Sequence, residues 1–359
     1  MTTPKPTIIL TGANGGLGIG YVQNLLSSSY ASTHHAIYTV RNPSTATTLS
    51  NLLSKVPKNH SSSTISLDFN SLANVRQVAT SLNTRISNGE LAPFHTLVLN
   101  AGWQEVNAST GKPQSFTEDG YEAHFGINYL SQFLLVLFLL GSMDQDVGRI
   151  VMVTSFTHDS HDPRVCDWMK LYTLSCGVSK EMFGKGGTEE WARGVEYVDD
   201  GYLGGMRRYG ASKSAMLMFM YELQRRLDSD PALSNIGVLT VDPGAMAGTN
   251  LLRSSPPFIR FMVSMLSYLQ GILVYFNPNG TWRTTYKSST DLLLASFEKK
   301  YLGEHPKAQF LDGSLKSQGS EESRDLKKQR QLWVDSLTLA GIKTGDTVLM
   351  NWVGMMDLE

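Results

Sequence analysis

Apolar and polar positions along the chain follow two alternating rhythms. Short runs of apolar and β-branched residues at Thr7–Thr11, His35–Val40, Thr64–Leu67, Thr96–Leu99, Arg149–Thr154 and Ile236–Val241 read as strands. Between them, Gly16–Ser28, Ala46–Leu53, Leu72–Ile86, Glu118–Leu140 and Tyr209–Leu227 read as helices. Strands that alternate with helices predict a parallel sheet covered on both faces. Right-handed crossovers then make it a doubly wound, three-layer α/β/α fold. Local chemistry marks some limits. Thr117-Glu118-Asp119 sets a capping residue before acids, which predicts a helix start. Asp242-Pro243-Gly244 ends a strand, because proline cannot continue the ladder and glycine permits a turn.

Four stretches depart from this rhythm. Phe133–Leu140 is apolar on every side, which predicts burial all round, by a second copy in a homodimer or by the chain's own C-terminal extension. Phe156–Arg208 is a long insertion rich in glycine, and its Trp168, Tyr172, Trp191, Tyr197 and Tyr202 argue against disorder. Phe258–Phe276 is long enough to be weighed as a membrane span, but Arg260, Ser264, Ser267 and Gln270 interrupt it. It reads as a buried or pocket-covering helix, with peripheral contact to a membrane surface as the alternative. Glu321–Leu339 reads as an amphipathic helix packed on the core. The expected organisation is one domain over 1–359. Its core is 7–250, interrupted by the insertion at 156–208 and followed by a substrate lid and C-terminal extension at 251–359.

Composition narrows the partners. The chain has 359 residues, with 31 basic against 32 acidic, so it lacks the basic balance of a nucleic-acid binder. Hydrophobic residues make up 41%, enough for a sizeable core. Two cysteines, Cys166 and Cys176, are too few for a disulfide framework and read as small buried side chains. The polar start, Met1 to Pro6, does not resemble a signal peptide. A cytoplasmic protein is expected, with membrane association left open by Phe258–Phe276.

Candidate chemistry begins after the first strand. Thr11-Gly12-Ala13-Asn14-Gly15-Gly16-Leu17-Gly18 opens the first helix. Glycines there let the backbone approach a pyrophosphate, and the helix N–H groups meet its charge. The second strand ends Tyr38-Thr39-Val40-Arg41-Asn42, with no acid to bind a ribose 2′-hydroxyl. Arg41 suits a 2′-phosphate, which favours NADP(H). Farther on, Tyr209 and Lys213 stand four apart and share a helix face. A tyrosine with the ordinary pKa of ~10 is a poor acid–base catalyst at neutral pH. A neighbouring ammonium stabilises its phenolate and makes it a better one.

The spacing of Gly12, Gly16 and Gly18 resembles the Thr-Gly-x-x-x-Gly-x-Gly motif of the short-chain dehydrogenase/reductase family. Asn100-Ala101-Gly102, Asp68, Asn128, Ser155, Tyr209-Gly-Ala-Ser-Lys213, Pro243-Gly244 and Thr249 match further family positions in order. The resemblance runs from Thr7 to Thr249 and then weakens, apart from a strand and turn at Phe310-Leu311-Asp312-Gly313. It implies a Rossmann fold with a catalytic set of Asn128, Ser155, Tyr209 and Lys213. In that set Ser155 bonds the substrate oxygen, Lys213 also holds the ribose, and Asn128 orients a water beside Lys213. It further implies cofactor contacts at Gly12, Asn14, Gly16, Leu17, Gly18, Arg41, Asp68, Asn100, Ala101, Gly102, Tyr209, Lys213, Pro243, Gly244 and Thr249. The chain is also similar in general appearance to fungal secondary-metabolism reductases and sterol 3-ketoreductases of that family.

His158, Asp159, His161 and Asp162 crowd just after Ser155. Imidazole and carboxylate suit zinc or iron, but nothing offers further ligands, so the cluster reads as a pocket wall or loop cap and no metal is expected. The insertion and Phe258–Phe276 supply aromatic and methionine side chains that suit a bulky apolar substrate, such as a polyketide, terpenoid or steroid. The expected activity is NADPH-dependent reduction of a ketone or aldehyde. The alternatives are alcohol oxidation with NADP+ and a non-redox cyclase or nucleotide sensor on the same fold.

Overall fold

Eight strands build one sheet: β1 (Thr7–Leu10), β2 (His35–Val40), β3 (Ser61–Ser66), β4 (Phe94–Leu99), β5 (Arg149–Val153), β6 (Gly237–Asp242), β7 (Gln309–Asp312) and β8 (Leu315–Ser317). Their spatial order is β3-β2-β1-β4-β5-β6-β7-β8. All neighbours pair in parallel except β7 and β8, which form an antiparallel hairpin. The central strands β1, β5 and β6 are buried along their whole length, as strands covered on both faces must be. The chain runs outward from β1 to β3 and then returns to place β4 on the other side of β1. That reversal opens a crevice at the C-terminal ends of β1 and β4, where ligands bind in doubly wound sheets.

This is a computed structural model, and it describes residues 4–56, 59–105, 114–165, 187–195, 202–246 and 257–353. Thr249, both cysteines, Trp168, Tyr172 and Tyr197 lie outside the described residues. The helices are α1 (Gly16–Leu26), α2 (Thr47–Leu53), α3 (Leu72–Ser87), α4 (Ala123–Ser142), α5 (Gly187–Ala192), α6 (Tyr202–Asp228), α7 (Pro257–Phe276), α8 (Thr285–Phe297) and α9 (Leu326–Leu339). A single turn at Tyr30–Thr33 precedes β2.

One face of the sheet carries α1 and α8, where Leu17, Tyr21, Val22 and Leu25 pack with Leu292, Ala295 and the strand residues Ile8 and Leu10. The polar-looking sequence of α8 gave no helix signal, yet its small side chains are what bring it close. A Cβ on Gly20 of α1 would lie 2.8 Å from Ser289 Oγ. Tyr21 donates to Ser296 Oγ at 3.1 Å. The other face carries α3, α4, α6 and α9.

Among the described residues, α4 is the helix long and apolar enough to cross a membrane, and 89% of that stretch is buried. Phe133 lies 5.1 Å from both Phe219 of α6 and Trp333 of α9, ring centre to ring centre. Tyr129 Oη is 2.7 Å from Ser336 Oγ of α9. The chain's own C-terminal extension therefore covers the surplus apolar face, and that face is no argument for a second copy.

Three helix starts differ from the sequence reading, each for a local reason. Helix α4 begins at Ala123, not Glu118. Gly120 adopts φ +77° and closes a turn with Thr117. The Asp119 carboxylate caps α3 instead, accepting Leu72 N–H at 2.8 Å, and Glu122 caps α4 through Phe125 N–H at 3.0 Å. Helix α6 begins at Tyr202, seven residues before Tyr209, because the buried Gly204 and Gly205 are tolerated inside it. Helix α9 begins at Leu326, where Asp325 caps Lys327 and Lys328, and the preceding Glu322–Arg324 is a separate 3-10 turn.

The described side chains of α7 do not bear out burial of this helix. Phe261, Met265, Tyr268, Leu269, Ile272, Leu273, Tyr275 and Phe276 are all exposed, whereas Gln270 is buried. Successive helical positions are ~100° apart, so those eight side chains share one outward arc. Polarity here is inverted relative to a soluble surface helix.

Candidate active site

The glycine turn after β1 is shaped by close backbone approach. Gly12 adopts φ +64°, and a Cβ there would meet Ala101 Cα at 2.9 Å. A Cβ on Gly18 would lie 2.5 Å from the carbonyl oxygen of Gly12. Helix α1 starts at Gly16 behind Gly15, which offers no side-chain cap, so its first N–H groups are left without one. Thr11 Oγ1 accepts the N–H groups of Asn100 and Ala101, both at 2.9 Å. Asn100 Nδ2 donates back to Thr11 O at 2.8 Å and Gly12 O at 3.2 Å. The two motifs are thus one bonded unit. Asn14 Oδ1 accepts Leu49 N–H at 3.0 Å and ties the turn to α2, while Leu17 is buried beneath it.

At the outer end of the crevice, Arg41 follows β2 with 63% of its side chain exposed. Its Nε lies 3.5 Å from Asp68 Oδ1. At the inner end, Gly244 adopts φ +70°, and a Cβ there would lie 2.9 Å from Arg283 Cδ. Pro243 O accepts the Ser288 hydroxyl at 2.6 Å.

The four residues of the expected catalytic set converge. Lys213 is buried, its Nζ donates to Val153 O at 3.0 Å, and it lies 5.5 Å from the Tyr209 ring centre. Tyr209 lies near enough to Ser155 for the serine side chain to favour its phenolate. Ser155 Oγ accepts Thr157 N–H at 3.3 Å, which leaves its own proton to donate elsewhere. Asn128 sits in a π-helical turn of α4, Gly126–Leu130. It accepts Trp103 N–H at 2.7 Å and donates to Trp103 O at 2.9 Å and Ser212 Oγ at 3.1 Å. A Cβ on Gly102 would lie 3.6 Å from Lys213 Nζ and 3.8 Å from Asn128 Oδ1, so the Asn-Ala-Gly turn touches the same cluster.

Burial sets the electrostatics. It holds the Tyr209 phenol well above its ordinary pKa, and the Asp242 charge adds to this while the Ser155 side chain opposes it. Tyr209 is therefore protonated at neutral pH. Burial pulls Lys213 down to about 8, against the attraction of Asp242. Asp242 itself is fully buried at the end of β6, and burial together with Asp312 raises it to about 6, against Arg164 and Arg283.

Sequence reasoning did not single out Asp242, nor the pair Glu122 and His124. His124 stands one turn before Asn128 and accepts Glu105 N–H at 3.1 Å, while its Nδ1 lies 2.7 Å from Glu122 Oε1. Its ring is 6.2 Å from that of Tyr209, edge to face. Spacing of four from Asn128 was the available signal. The His158 cluster resolves into separate roles: His158 is buried beside Ser155, Asp162 pairs with Arg164 at 2.7 Å, and His161 is exposed. Arg164 also reaches Asp242 at 3.4 Å and Asp312 at 3.2 Å, tying the start of the insertion to β6 and β7.

A family model described as short chain dehydrogenase matches residues 6–167 and ends inside the insertion, before Tyr209. The chain is 38% identical to the short-chain dehydrogenase iccH of Talaromyces variabilis, over 96% of this chain and 98% of that one. It is 30% identical to the polyprenol dehydrogenase of Mus musculus, over 80% of this chain and 70% of that one. The fold resembles NADPH-bound carbonyl reductase from chicken fatty liver, with a TM-score of 0.54 and 18% identity over 88% of this chain and 99% of that chain. It also resembles the angucycline C-6 ketoreductase LanV with bound NADP, with a TM-score of 0.54 and 19% identity over 87% and 96%.

Proposed function

The chain belongs to the short-chain dehydrogenase/reductase family, and from that premise we propose that it is an NADP(H)-dependent oxidoreductase that reduces a ketone or aldehyde on a bulky apolar substrate. The observation that carries this reading is the convergence of Tyr209, Ser155 and Lys213 beside a glycine turn in which Gly12 and Gly18 pack too closely on backbone to admit a Cβ. The cradle fits a dinucleotide: the pyrophosphate would rest on Gly12, Gly16 and Gly18 at the start of α1. Asn14, Leu17, Asn100, Ala101, Gly102, Pro243 and Gly244 would line the same crevice, and Thr249 is assigned there on its motif position. Arg41 would take the 2′-phosphate and Asp68 the adenine end. The relatives of this fold include proteins with bound NADP or NADPH, in keeping with Arg41.

When bound, NADPH supplies hydride to the carbonyl carbon. Tyr209, protonated at neutral pH, donates its Oη proton to the carbonyl oxygen. Ser155 donates a hydrogen bond to the same oxygen and stabilises the charge developing there. Lys213 places its ammonium beside the tyrosine and stabilises the phenolate that forms. Asn128, fixed on the Trp103 backbone, holds the Lys213 side of the cluster. The expected result is NADPH oxidation with a panel of apolar carbonyl compounds (2-decalone, β-ionone and decanal), with kcat at least ~100-fold lower in Tyr209→Phe. Full activity in a folded Tyr209→Phe protein would refute the assignment. The word dehydrogenase in the relatives' names favours a second reading, alcohol oxidation with NADP+. Turnover of 2-decalone with NADPH against 2-decalol with NADP+ separates the two.

Apolar substrates are supported by α7, whose C-terminal end leads back to the site. Ala245, next to Gly244, accepts Arg283 N–H at 2.9 Å and donates to Thr281 O at 2.7 Å, which sets the residues shortly after α7 beside Gly244. The mouse relative is named for polyprenol, a long apolar alcohol. The outward arc of α7, with Tyr268 and Tyr275 among its exposed aromatics, suits a bilayer surface. No Asp or Glu occurs between Asp242 and Asp291, while Arg253 and Arg260 do, which suits anionic lipid headgroups. Co-sedimentation with phosphatidylcholine–phosphatidylserine vesicles is expected for the wild type and lost in Tyr268→Ser/Ile272→Ser. Equal sedimentation of both proteins would remove this reading and leave the reductase assignment standing.

A further inference from the structure

His158 connects the serine of the site to the C-terminal segment. Its backbone N–H and its ring Nδ1 both meet the carbonyl oxygen of Ser155, at 2.9 Å and 2.8 Å. On the far side of the ring, Nε2 lies 3.2 Å from the backbone N–H of Ser320. A backbone N–H only donates, so Nε2 accepts and the ring proton sits on Nδ1, donated to Ser155 O. The imidazole is thereby neutral and locked in one tautomer by two partners, one of them 162 residues from His158 along the chain. The Phe310 ring closes the pocket edge to face at 5.2 Å. Burial lowers the His158 pKa in keeping with this, opposed by the Ser155 bond and by Asp159 and Asp162.

The segment that carries Ser320 is itself fixed. Gly319 N–H donates to Tyr221 Oη at 3.3 Å, on α6 three turns beyond Tyr209. Ser323 N–H donates to Ser320 Oγ at 3.2 Å, and Ser323 Oγ donates to Ser320 O at 2.9 Å. A Cβ on Gly319 would lie 2.5 Å from Ser323 Oγ, so the segment has little room to shift. It rests at once on the Tyr–Lys helix and, through one ring, on the serine that ends β5.

We infer that His158 is a positioning residue for Ser155, acting through the bond from its ring Nδ1 to the Ser155 carbonyl oxygen. The inference rests on the reading above, in which the Ser155 hydroxyl must point at a carbonyl oxygen. Ser155 has its Oγ held by Thr157 N–H and its carbonyl held by His158, so both ends of the residue are set. Loss of the ring bond leaves the backbone N–H of His158 as the carbonyl's remaining hold there and loosens the aim of the hydroxyl, and small errors of aim in a catalytic donor cost rate rather than binding.

Two substitutions divide the two bonds. In His158→Asn the carboxamide nitrogen takes the place of Nδ1 and keeps the bond to Ser155 O. In His158→Gln the carboxamide oxygen reaches toward Ser320 N–H and the side-chain bond to Ser155 O is lost, while the backbone N–H bond remains. Turnover of 2-decalone at saturating NADPH, with decanal as the second probe, is compared among wild type, Ser155→Ala and these variants. The expected result is a kcat about 100-fold lower for Ser155→Ala and at least ~10-fold lower for His158→Gln. His158→Asn stays within about threefold of wild type, and the KM for NADPH stays within about twofold in every variant. A His158→Gln protein as fast as wild type overturns the inference, and so does an equal loss in both His158 variants. If His158→Gln does not fold, a large loss of kcat in folded His158→Asn overturns it alone. Undiminished activity in Ser155→Ala is a different outcome: it sinks the reductase assignment of Ser155, and the role of His158 with it.

Discussion

Helices α4 and α7 are each 20 residues long and predominantly apolar, yet the chain treats them in opposite ways. Helix α4 is sealed by α3, α6 and α9, and its buried polar residues find partners within the chain. Ser131 donates to Phe69 O at 2.8 Å, Gln132 donates to Ala101 O at 2.8 Å, and Asn128 clasps Trp103. Helix α7 turns Gln270 inward and eight apolar side chains outward. Apolar content therefore states that a helix needs cover without saying what supplies it. For α4 the cover is a later part of the same chain. For α7 we propose a bilayer surface.

The largest effect expected from this contrast is on stability. Trp333 is buried against Phe133, with the Arg226 guanidinium 4.4 Å above its ring. Trp333→Ala is expected to cost about 3–5 kcal/mol in urea unfolding, as truncations of large core aromatics do. A loss under about 1 kcal/mol would mean that α9 is not the cover of α4. Next in size is the contrasting result on α7. Tyr268→Ser/Ile272→Ser is expected to change unfolding stability by no more than ~0.5 kcal/mol, because exposed side chains lose no burial. A loss comparable to that of Trp333→Ala would show that α7 is packed after all and would erase the contrast.

The smallest expected effect is a pH dependence that belongs to the buried side alone. Lys213 is charged below about 8 and loses its proton as pH rises through that value. Reductase kcat/KM is expected to fall on the alkaline side from about that pH. Asp242 favours the charged lysine, so Asp242→Asn moves the fall to lower pH. The α7 variant leaves it in place. A profile flat across this range in the wild type would separate Lys213 from the rate.

Much of this was legible in the sequence because it depends on near neighbours. The parallel strands appear as apolar runs, the cradle as Gly12, Gly16 and Gly18, and the Tyr209–Lys213 pair as helical spacing. What was not legible depends on distant partners. Asp119 has a helix-start signature that serves α3 instead of the helix that follows it. Helix α8 is disguised by serines and threonines whose small size is the reason it fits against Gly20. The outward face of α7 depends on which side meets the protein, and periodicity alone does not choose. His158 read as a wall or cap because its second partner lies 162 residues away.

The central claim is that the buried Tyr209–Ser155–Lys213 cluster serves hydride transfer to a carbonyl. NADPH deuterated at both C4 positions, incubated with 2-decalone and the wild-type protein, is expected to yield decalol with one deuterium on the carbinol carbon by mass spectrometry. Tyr209→Phe is expected to yield only a trace in the same time. Cofactor consumption with no deuterium on that carbon, or equal labelling by the Tyr209→Phe protein, would contradict the account.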